Sequence, residues 1–264
     1  MNDVPVAGKT QAVLSLPDGR QGALGNEKEQ DTAWMKYVEA CTIESKATTE
    51  PADIKIEVAR GGEYKIRLED GTTVWLNSES SLIYPEKFTG DKRAVRLSGE
   101  GYFEVARDEK KPFIVSVTDM EIKVLGTKFN VTAYQDEKMT TTTLISGAVE
   151  VVTPHRSVQL QPGKQAMVQE GGDDITVLEV DVELATSWTA GIFKFDKMAL
   201  TDICTRLSRW YDIDFVFEGE TGKEKFTGGT WKYVPLKDFL SKIERVTNVL
   251  FLFENNTVKV VPKK

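Results

Sequence analysis

The sequence offers few side chains for covalent or metal-assisted catalysis. It contains one histidine, His155, and two widely separated cysteines, Cys41 and Cys204. A histidine-rich metal site and a Cys-x-x-Cys zinc or redox motif are therefore both excluded. His155 follows a proline in a predicted loop, where a histidine is usually solvated, and no Gly-x-Ser-x-Gly elbow is present for it to serve. Cys204 lies at an apolar helix position and is expected to be a small buried residue, while a Cys41–Cys204 disulfide stays open for an oxidising compartment.

Carboxylates and aromatic side chains suggest a second kind of chemistry. Glu100 and Glu104 could act as the acid and base of a glycoside hydrolase, and Trp75, Tyr84 and Tyr102 could form a platform for sugars. Surface carboxylates are common in any acidic protein, however, and aromatic residues in strands more often belong to a core. A carbohydrate-binding or two-carboxylate hydrolase protein is therefore the alternative interpretation. The leading expectation is a protein that is not an enzyme and needs no cofactor.

Length and charge limit the remaining possibilities. The chain has 264 residues, of which 40 % are hydrophobic and 28 % charged, so it is long enough for two domains with proper cores. The net charge of −7 and the pI near 5.1 argue against a nucleic-acid partner, which normally meets a basic face. No apolar run approaches the roughly 18 residues of a membrane span, and no signal peptide is visible. Residues 1–185 carry 21 basic and 31 acidic side chains, whereas residues 186–264 carry 13 and 10, which supports a boundary between them.

The first part of the chain alternates between apolar and polar residues, as strands do. From Gly62 to Val180 this period of two is broken by turn residues, and Asp70-Gly71 between two such runs is a strong hairpin signal. Separate strands are predicted at Ala94–Leu97 and Tyr102–Val105. These features predict an all-β sandwich or barrel-like domain over 56–185. A β extension and linker precede it over 1–55, with a polar loop at 26–31 and a linker at 45–52.

The last part of the chain changes to a helical period. One helix face is marked by Leu200, Ile203, Cys204, Leu207 and Trp210, and an equivalent face recurs at an offset of 36 in Leu236, Phe239, Leu240, Ile243 and Val246. Strand-like residues before and after the helices match at the same offset. The order β-α-β, β-α-β, β predicts a small α+β domain of duplicated units over 186–264, with both helices on one face of a single sheet.

A series of motifs follows in a fixed order along the chain: Gly61–Tyr64, Leu68–Ser78, Tyr84-Pro85, Arg93–Val105, Lys111–Phe113, Val124–Val131 and Leu160–Gly163. Together they resemble the FecR family of anti-sigma regulators, in the form common in Bacteroidetes. The tail, from Trp188 to Ile213, is similar to the family's C-terminal domain, which itself resembles the short N-terminal domains of secretins and TonB-dependent receptors. The positions with an expected structural role in these motifs are Asp70, Gly71, Trp75, Asn77, Gly99, Glu100, Phe103, Pro112, Phe113, Gly126, Thr127, Phe129, Asn130, Pro162, Gly163, Trp188 and Gly191.

The resemblance implies the periplasmic, signal-receiving part of a transmembrane anti-sigma factor. Family members have a cytoplasmic segment that holds an extracytoplasmic-function sigma factor, then one membrane helix, then this periplasmic part. They relay ligand capture by a TonB-dependent outer-membrane transducer to transcription. The chain is therefore expected to be a periplasmic fragment whose membrane helix is absent, and to reach the sigma factor only through the missing cytoplasmic segment. This interpretation places Trp75 and Tyr102 in the core.

The expected partner is the N-terminal signalling domain of the transducer, and its contact is expected on the C-terminal domain. Small β-α-β sheets leave an edge strand unpaired, which can accept a strand from a partner. The first strands of the two units, Ile192–Phe195 and Phe226–Tyr233, are the edge candidates. Phe193, Phe195, Trp231 and Tyr233 are the predicted contact residues, and completion of the small core by Trp231 and Tyr233 is the alternative.

Overall fold

Strands form where the sequence alternates apolar and polar residues, and the protein is mainly β, as predicted. The computed structural model describes residues 7–16, 19–25, 53–118 and 120–263. The predicted loop at 26–31, the linker at 45–52 and Cys41 lie outside these residues. The described residues divide into a sandwich unit (10–16, 19–25, 53–59, 63–118 and 120–182) and a C-terminal unit (7–9, 60–62 and 183–263).

Short strands joined by turns make up the described chain up to residue 179. They are β1 (Lys9–Thr10), β2 (Ala12–Ser15), β3 (Gln21–Leu24), β4 (Asp53–Val58), β5 (Gly62–Arg67), β6 (Thr73–Leu76), β7 (Ser80–Pro85), β8 (Arg93–Glu104), β9 (Phe113–Val117), β10 (Met120–Val124), β11 (Lys128–Ala133), β12 (Met139–Ser146), β13 (Val149–Val152), β14 (Ser157–Leu160), β15 (Lys164–Gln169) and β16 (Ile175–Glu179). They form two sheets. The first has the order β14-β13-β10-β9-β8-β7-β4-β2-β3, and the second β1-β5-β6-β8-β11-β12-β15-β16.

Strand β8 belongs to both sheets. Its first half pairs with β7 and β9, and its second half, from Gly99 onwards, pairs with β6 and β11. Gly99 has φ +92°, and a Cβ there would lie 2.7 Å from the carbonyl oxygen of Glu79, so only glycine fits this bend. The sequence predicted two separate strands here, and this prediction is wrong. Gly99 bends the chain, but the hydrogen-bonded pairing continues on both sides of it, so the two predicted strands are one.

The core lies between the two sheets and contains three of the motif phenylalanines. Phe103, Phe113 and Phe129 are fully buried, and the rings of Phe103 and Phe129 stack with centroids 5.0 Å apart and planes 8° apart. Because successive side chains of a strand face opposite sides, Phe103 and Phe129 alternate with polar residues, whereas in β9 the residue after Phe113, Ile114, is buried as well. Each buried aromatic side chain stabilises the fold by roughly 1.5–3 kcal/mol.

The Asp70-Gly71 turn joins β5 and β6 as predicted and is held by a buried ion pair. Asp70 accepts hydrogen bonds from the Thr72 amide at 2.9 Å and from the Thr72 hydroxyl at 2.7 Å. Its carboxylate also pairs with Arg93 Nη1 at 2.7 Å. Arg93 donates further bonds to the carbonyl oxygens of Lys111 and Ala106. The turn is therefore fixed to the start of β8 by charge as well as by backbone geometry.

The C-terminal unit repeats a strand–helix–strand order. Helix α1 (Val182–Thr186) and a 3₁₀ turn (Ser187–Ala190) lead into β17 (Ile192–Ala199), α2 (Leu200–Tyr211) and β18 (Asp214–Phe217). The second copy consists of β19 (Lys225–Trp231), α3 (Leu236–Val246), β20 (Val249–Glu254) and β21 (Thr257–Pro262). The predicted helix faces are buried, except that Val246, the last residue of α3, is exposed.

The strands of the C-terminal unit do not form the single sheet that was predicted. β17 pairs with β19 in an antiparallel two-stranded sheet, and β18, β21 and β20 form a separate three-stranded sheet. The first strands of the two copies therefore pair with each other. This pairing depends on contacts between distant residues, which a local repeat cannot specify.

Candidate partner interface

Two large aromatic side chains are exposed at the end of β19. Trp231 is 62 % exposed and Tyr233 is 57 % exposed, whereas Lys232 between them is completely buried. An exposed tryptophan beside an exposed tyrosine is unusual on a solvated surface, and both residue types are enriched among interface residues that dominate binding. The alternative in which both aromatics complete the core does not match this exposure.

Lys232 takes the core-facing position, surrounded by aromatic rings. Its Nζ lies 3.7 Å from the ring centroid of Trp210, 5.7 Å from that of Trp188 and 5.9 Å from that of Phe193. A lysine ammonium is attracted to the negative faces of such rings, more strongly when it is desolvated. Trp231, the last residue of β19, is directed outward, whereas the ring of Tyr233, in the turn that follows, packs edge to face on Trp210 with centroids 5.8 Å apart.

The backbone around Lys232 is also held in place. Its carbonyl oxygen accepts bonds from Trp210 Nε1 at 2.7 Å and from the Tyr211 hydroxyl at 3.0 Å, and its amide donates to the Gly191 carbonyl at 2.9 Å. Burial raises the pKa of Tyr211 to about 12, so the hydroxyl is protonated and able to donate at neutral pH. Gly191, with φ +74°, lies against the ring of Tyr233, where a Cβ would come within 3.2 Å of that ring.

The two-stranded sheet separates the four predicted contact residues into two groups. Phe193 and Phe195 face inward and are buried, whereas Trp231 lies directly opposite Ile192 on the outer face. Only Trp231 and Tyr233 therefore present a large exposed surface to a partner. That these residues bind a partner stays a prediction.

On the outer face of the sandwich, three motif residues form a polar cluster. Glu100 accepts hydrogen bonds from Asn77 Nδ2 at 2.8 Å, from Asn130 Nδ2 at 3.0 Å and from the Thr132 hydroxyl at 3.3 Å. These residues come from β8, β11 and the end of β6, and their register brings them together. The carboxylate is held by neutral donors, which ties three strands together at the bend of β8.

The aromatic residues next to this cluster are poorly arranged for sugar binding. Trp75 and Tyr102 meet edge to face, at 5.3 Å and 72°, and Lys65 Nζ lies 4.5 Å from the centre of the Trp75 ring. They are half-buried on the outer face, so the expectation that they lie in the core is wrong: both alternate with the inward residues of their strands. Tyr84 is the one of the three that is buried in the core.

The two candidate carboxylates do not form an acid–base pair. Glu100 and Glu104 are four residues apart on one strand, so their Cα atoms are about 13 Å apart, and the Glu100 carboxylate is held by Asn77 and Asn130. Glu104 is bound instead by Lys128 Nζ at 2.8 Å. In the part of the chain that the structure describes, no group of three or more His, Cys, Asp or Glu side chains is placed to hold a metal ion. His155 is exposed, 3.7 Å from Asp173, and burial raises the pKa of the Cys204 thiol.

The remaining motif positions lie at connections between strands. Pro112 accepts a bond from the Arg93 amide, the Thr127 hydroxyl donates to the Ala148 carbonyl at 2.8 Å, and the Gly163 amide donates to the Leu144 carbonyl. Pro162, with Gly163, forms the exposed turn between β14 and β15. Pro112, Gly126 and Thr127 line a groove of about 620 Å³.

The charges at the rim of this groove are neutralised within the protein. Arg107 pairs with Glu109 at 2.6 Å, Lys123 pairs with Glu121 at 3.4 Å, and Glu150 lies opposite Lys123 in the register of β10 and β13. The rim therefore gives no preference for a charged ligand.

Comparison with known proteins identifies the family. The family described as FecR protein matches residues 54–150, and the one described as FecR, C-terminal matches residues 192–260. Two crystal structures of a candidate anti-sigma factor from Parabacteroides distasonis are similar to this chain, each with 30 % identity and a TM-score of 0.74 over 80 % of this chain and 99 % or 100 % of the other. The chain belongs to the FecR family of anti-sigma regulators. No curated protein matches it.

Membership of the FecR family assigns this chain an anti-sigma signalling role, and the family implies contacts with sigma-factor or receptor partners. FecR proteins are a membrane-associated family. Among the helices of the described residues, none is both long and apolar enough to cross a membrane.

Two residues that organise this FecR chain were missed in the sequence: Lys232, which sets the direction of Trp231 and Tyr233, and Arg93, which holds the Asp70 turn. The position of Lys232 between two aromatic residues was the available signal for it, because burial of a charged group requires specific partners, whereas Arg93 follows Asp91 and Lys92 and carries no such local signal.

Proposed function

We propose that this protein is the periplasmic, signal-receiving part of a FecR-type anti-sigma factor. In this proposal it binds the N-terminal signalling domain of a TonB-dependent outer-membrane transducer. The sigma factor is held by a cytoplasmic segment like that of other family members, connected through a membrane helix. The role of the domain is to change its contacts when the transducer captures its ligand, and not to catalyse a reaction.

The observation that carries the proposal is the exposed pair Trp231 and Tyr233. The buried Lys232 and the bonds to its carbonyl oxygen fix the backbone between the two side chains, and the Tyr233 ring packs edge to face on Trp210 at 5.8 Å, which reduces the conformational freedom that is lost on binding. The outer face of the same two-stranded sheet adds Ile192, directly opposite Trp231. Residues 186–264 carry 13 basic and 10 acidic side chains, a balance that suits an acidic partner surface as weak steering.

The test is isothermal titration calorimetry of the full chain with the purified N-terminal signalling domain of each TonB-dependent transducer from the same organism. Trp231→Ala and Tyr233→Ala are each expected to weaken binding at least about tenfold, as for central interface aromatics. Leu252→Ala is the matched control, because Leu252 is also an exposed apolar residue but lies on β20 of the other sheet. Wild-type affinity in both aromatic variants would move the contact elsewhere, and no binding by any transducer domain would refute the proposed relay.

A further inference from the structure

Strand β16 ends the second sheet of the sandwich and pairs on one side only, with β15. The Val180 amide donates to the Gly163 carbonyl just beyond this ladder. Because hydrogen bonding alternates along a strand, Thr176 and Leu178 direct their backbone groups to β15. The backbone N–H and C=O groups of Ile175, Val177 and Glu179 are therefore directed to the open edge.

These outward backbone groups make no hydrogen bond with any other residue that the structure describes. The side chain of Val177 adds an apolar contact surface at the same edge. Val177 is on the inner side of the sheet, opposite the buried Ala166, yet it is 39 % exposed. The edge thus offers both a backbone ladder and a partly exposed β-branched side chain, the two features that β-strand addition uses.

Acidic residues lie at both ends of this edge. Asp173 and Asp174 precede β16, and Glu179 and Asp181 end and follow it. Asp174 pairs with Arg156 at 3.1 Å and Glu179 with Lys164 at 3.0 Å, but the two carboxylate side chains are still 86 % and 83 % exposed. Exposed ion pairs of this kind are weak, so the carboxylates can exchange their partners readily.

This charge pattern distinguishes between two possible occupants of the edge. A second copy of the chain, paired antiparallel about Val177, would place Asp173 opposite Asp181, and like charges that face each other across strands are destabilising. A strand with basic residues on both sides of a short aliphatic segment would instead match the acidic ends and cover Val177.

We propose that the open edge of β16 binds an extended segment of a partner protein as an added strand, and that this segment carries Lys or Arg on both sides of a β-branched centre. This contact lies in the sandwich unit and is independent of the proposed contact at Trp231 and Tyr233. Removal of either contact should leave the other measurable.

The experiment titrates the full chain with three fluorescent nine-residue peptides and follows anisotropy. The sequences are KRTVTVTKR, its acidic counterpart EETVTVTEE, and KRTVPVTKR, in which proline interrupts the central strand. Only the first is expected to bind, and its binding should slow hydrogen exchange of the Val177 amide. Val177→Pro is the decisive variant, because its missing N–H faces the open edge and no bond to β15 is lost. It should weaken binding at least about tenfold at an unchanged melting temperature.

Val177→Thr is the matched control, because it keeps the outward N–H and a β-branched side chain, and it should stay within about threefold of wild type. Equal binding by Val177→Pro and Val177→Thr, or equal binding of both basic peptides, would show general attraction to an acidic surface and overturn the proposal. Absence of peptide binding, or a dimer of the chain that Val177→Pro dissociates, would also overturn it. If Val177→Pro does not fold, the exchange rate of the wild-type Val177 amide with and without the first peptide decides.

Discussion

The Asp70–Arg93 ion pair can be compared with a surface pair of the same chemistry and length. Asp70 and Arg93 are 2.7 Å apart with side chains 13 % and 3 % exposed, whereas Asp53 and Arg96 are also 2.7 Å apart but 50 % and 63 % exposed. Breaking a buried pair leaves an uncompensated charge and costs about 3–5 kcal/mol. Breaking an exposed pair costs about 0–1 kcal/mol. Asp70→Ala should therefore destabilise the sandwich far more than Asp53→Ala.

The assay is urea unfolding followed by pulsed hydrogen exchange and mass spectrometry of peptides from β8 and β11, which reports on the sandwich unit alone. The free energy of unfolding is taken to fall by about 2 kcal/mol for each 1 M urea. Asp70→Ala should then lower the urea concentration at the unfolding midpoint by about 1.5–2.5 M, and Asp53→Ala by at most about 0.5 M. The double variant Asp70→Ala/Arg93→Met also removes the Arg93 charge that Asp70→Ala leaves without its carboxylate, and it should recover part of the lost stability. Midpoints for the two alanine variants that agree within error would refute burial as the source of the difference.

Three further predictions use other parts of the structure. Gly99→Ala should lower the free energy of unfolding by more than about 2 kcal/mol, and Gly71→Ala by only about 1 kcal/mol, as measured by thermal unfolding. Both glycines have positive φ, but a Cβ added at Gly99 would lie 2.7 Å from a backbone atom, whereas one added at Gly71 would lie 3.8 Å from its nearest neighbour. Glu100→Gln should lower the melting temperature through a loss of about 1–3 kcal/mol, since the new NH2 group would face one of the two amide donors, Asn77 or Asn130, and leave it without its acceptor. In a Cys41→Ser background, Cys204 should react with a disulfide reagent at pH 8 only after unfolding, because burial raises its pKa and suppresses the thiolate; rapid native labelling would contradict this.

The sequence predicted which side of a strand or helix is buried more successfully than it predicted which strands pair with each other. Alternation identified the strands of the sandwich, and helical spacing identified the buried sides of α2 and α3, because each depends on residues close together in the chain. The continuity of β8 through Gly99 and the pairing of β17 with β19 were missed. Both depend on which distant strands meet, and the side-chain period carries no such information.

The candidate interface was predicted only in part, because its direction also depends on residues that are distant in the sequence. The period of two predicted that Trp231 and Tyr233 share one side of the chain, but that side could have been inner or outer, and the strand ends at Trp231, before Tyr233. Lys232 decides it through the rings of Trp188 and Trp210, which lie far from it in sequence. A lysine is normally assigned to the surface, and the aromatic surroundings favour the burial of this one.

The passage of β8 through both sheets has a mechanical consequence. Each half of the strand is hydrogen-bonded on both sides, to β7 and β9 and then to β6 and β11, so tension on either sheet reaches the other through peptide bonds as well as side-chain packing. The sheets cannot slide past each other without breaking these bonds together, and the sandwich should yield in one step under force. For a protein that passes on a signal, such a stiff body transmits displacement with little loss. A protease that requires an extended, unpaired strand would gain access to β8 only after the rest of the sandwich had opened.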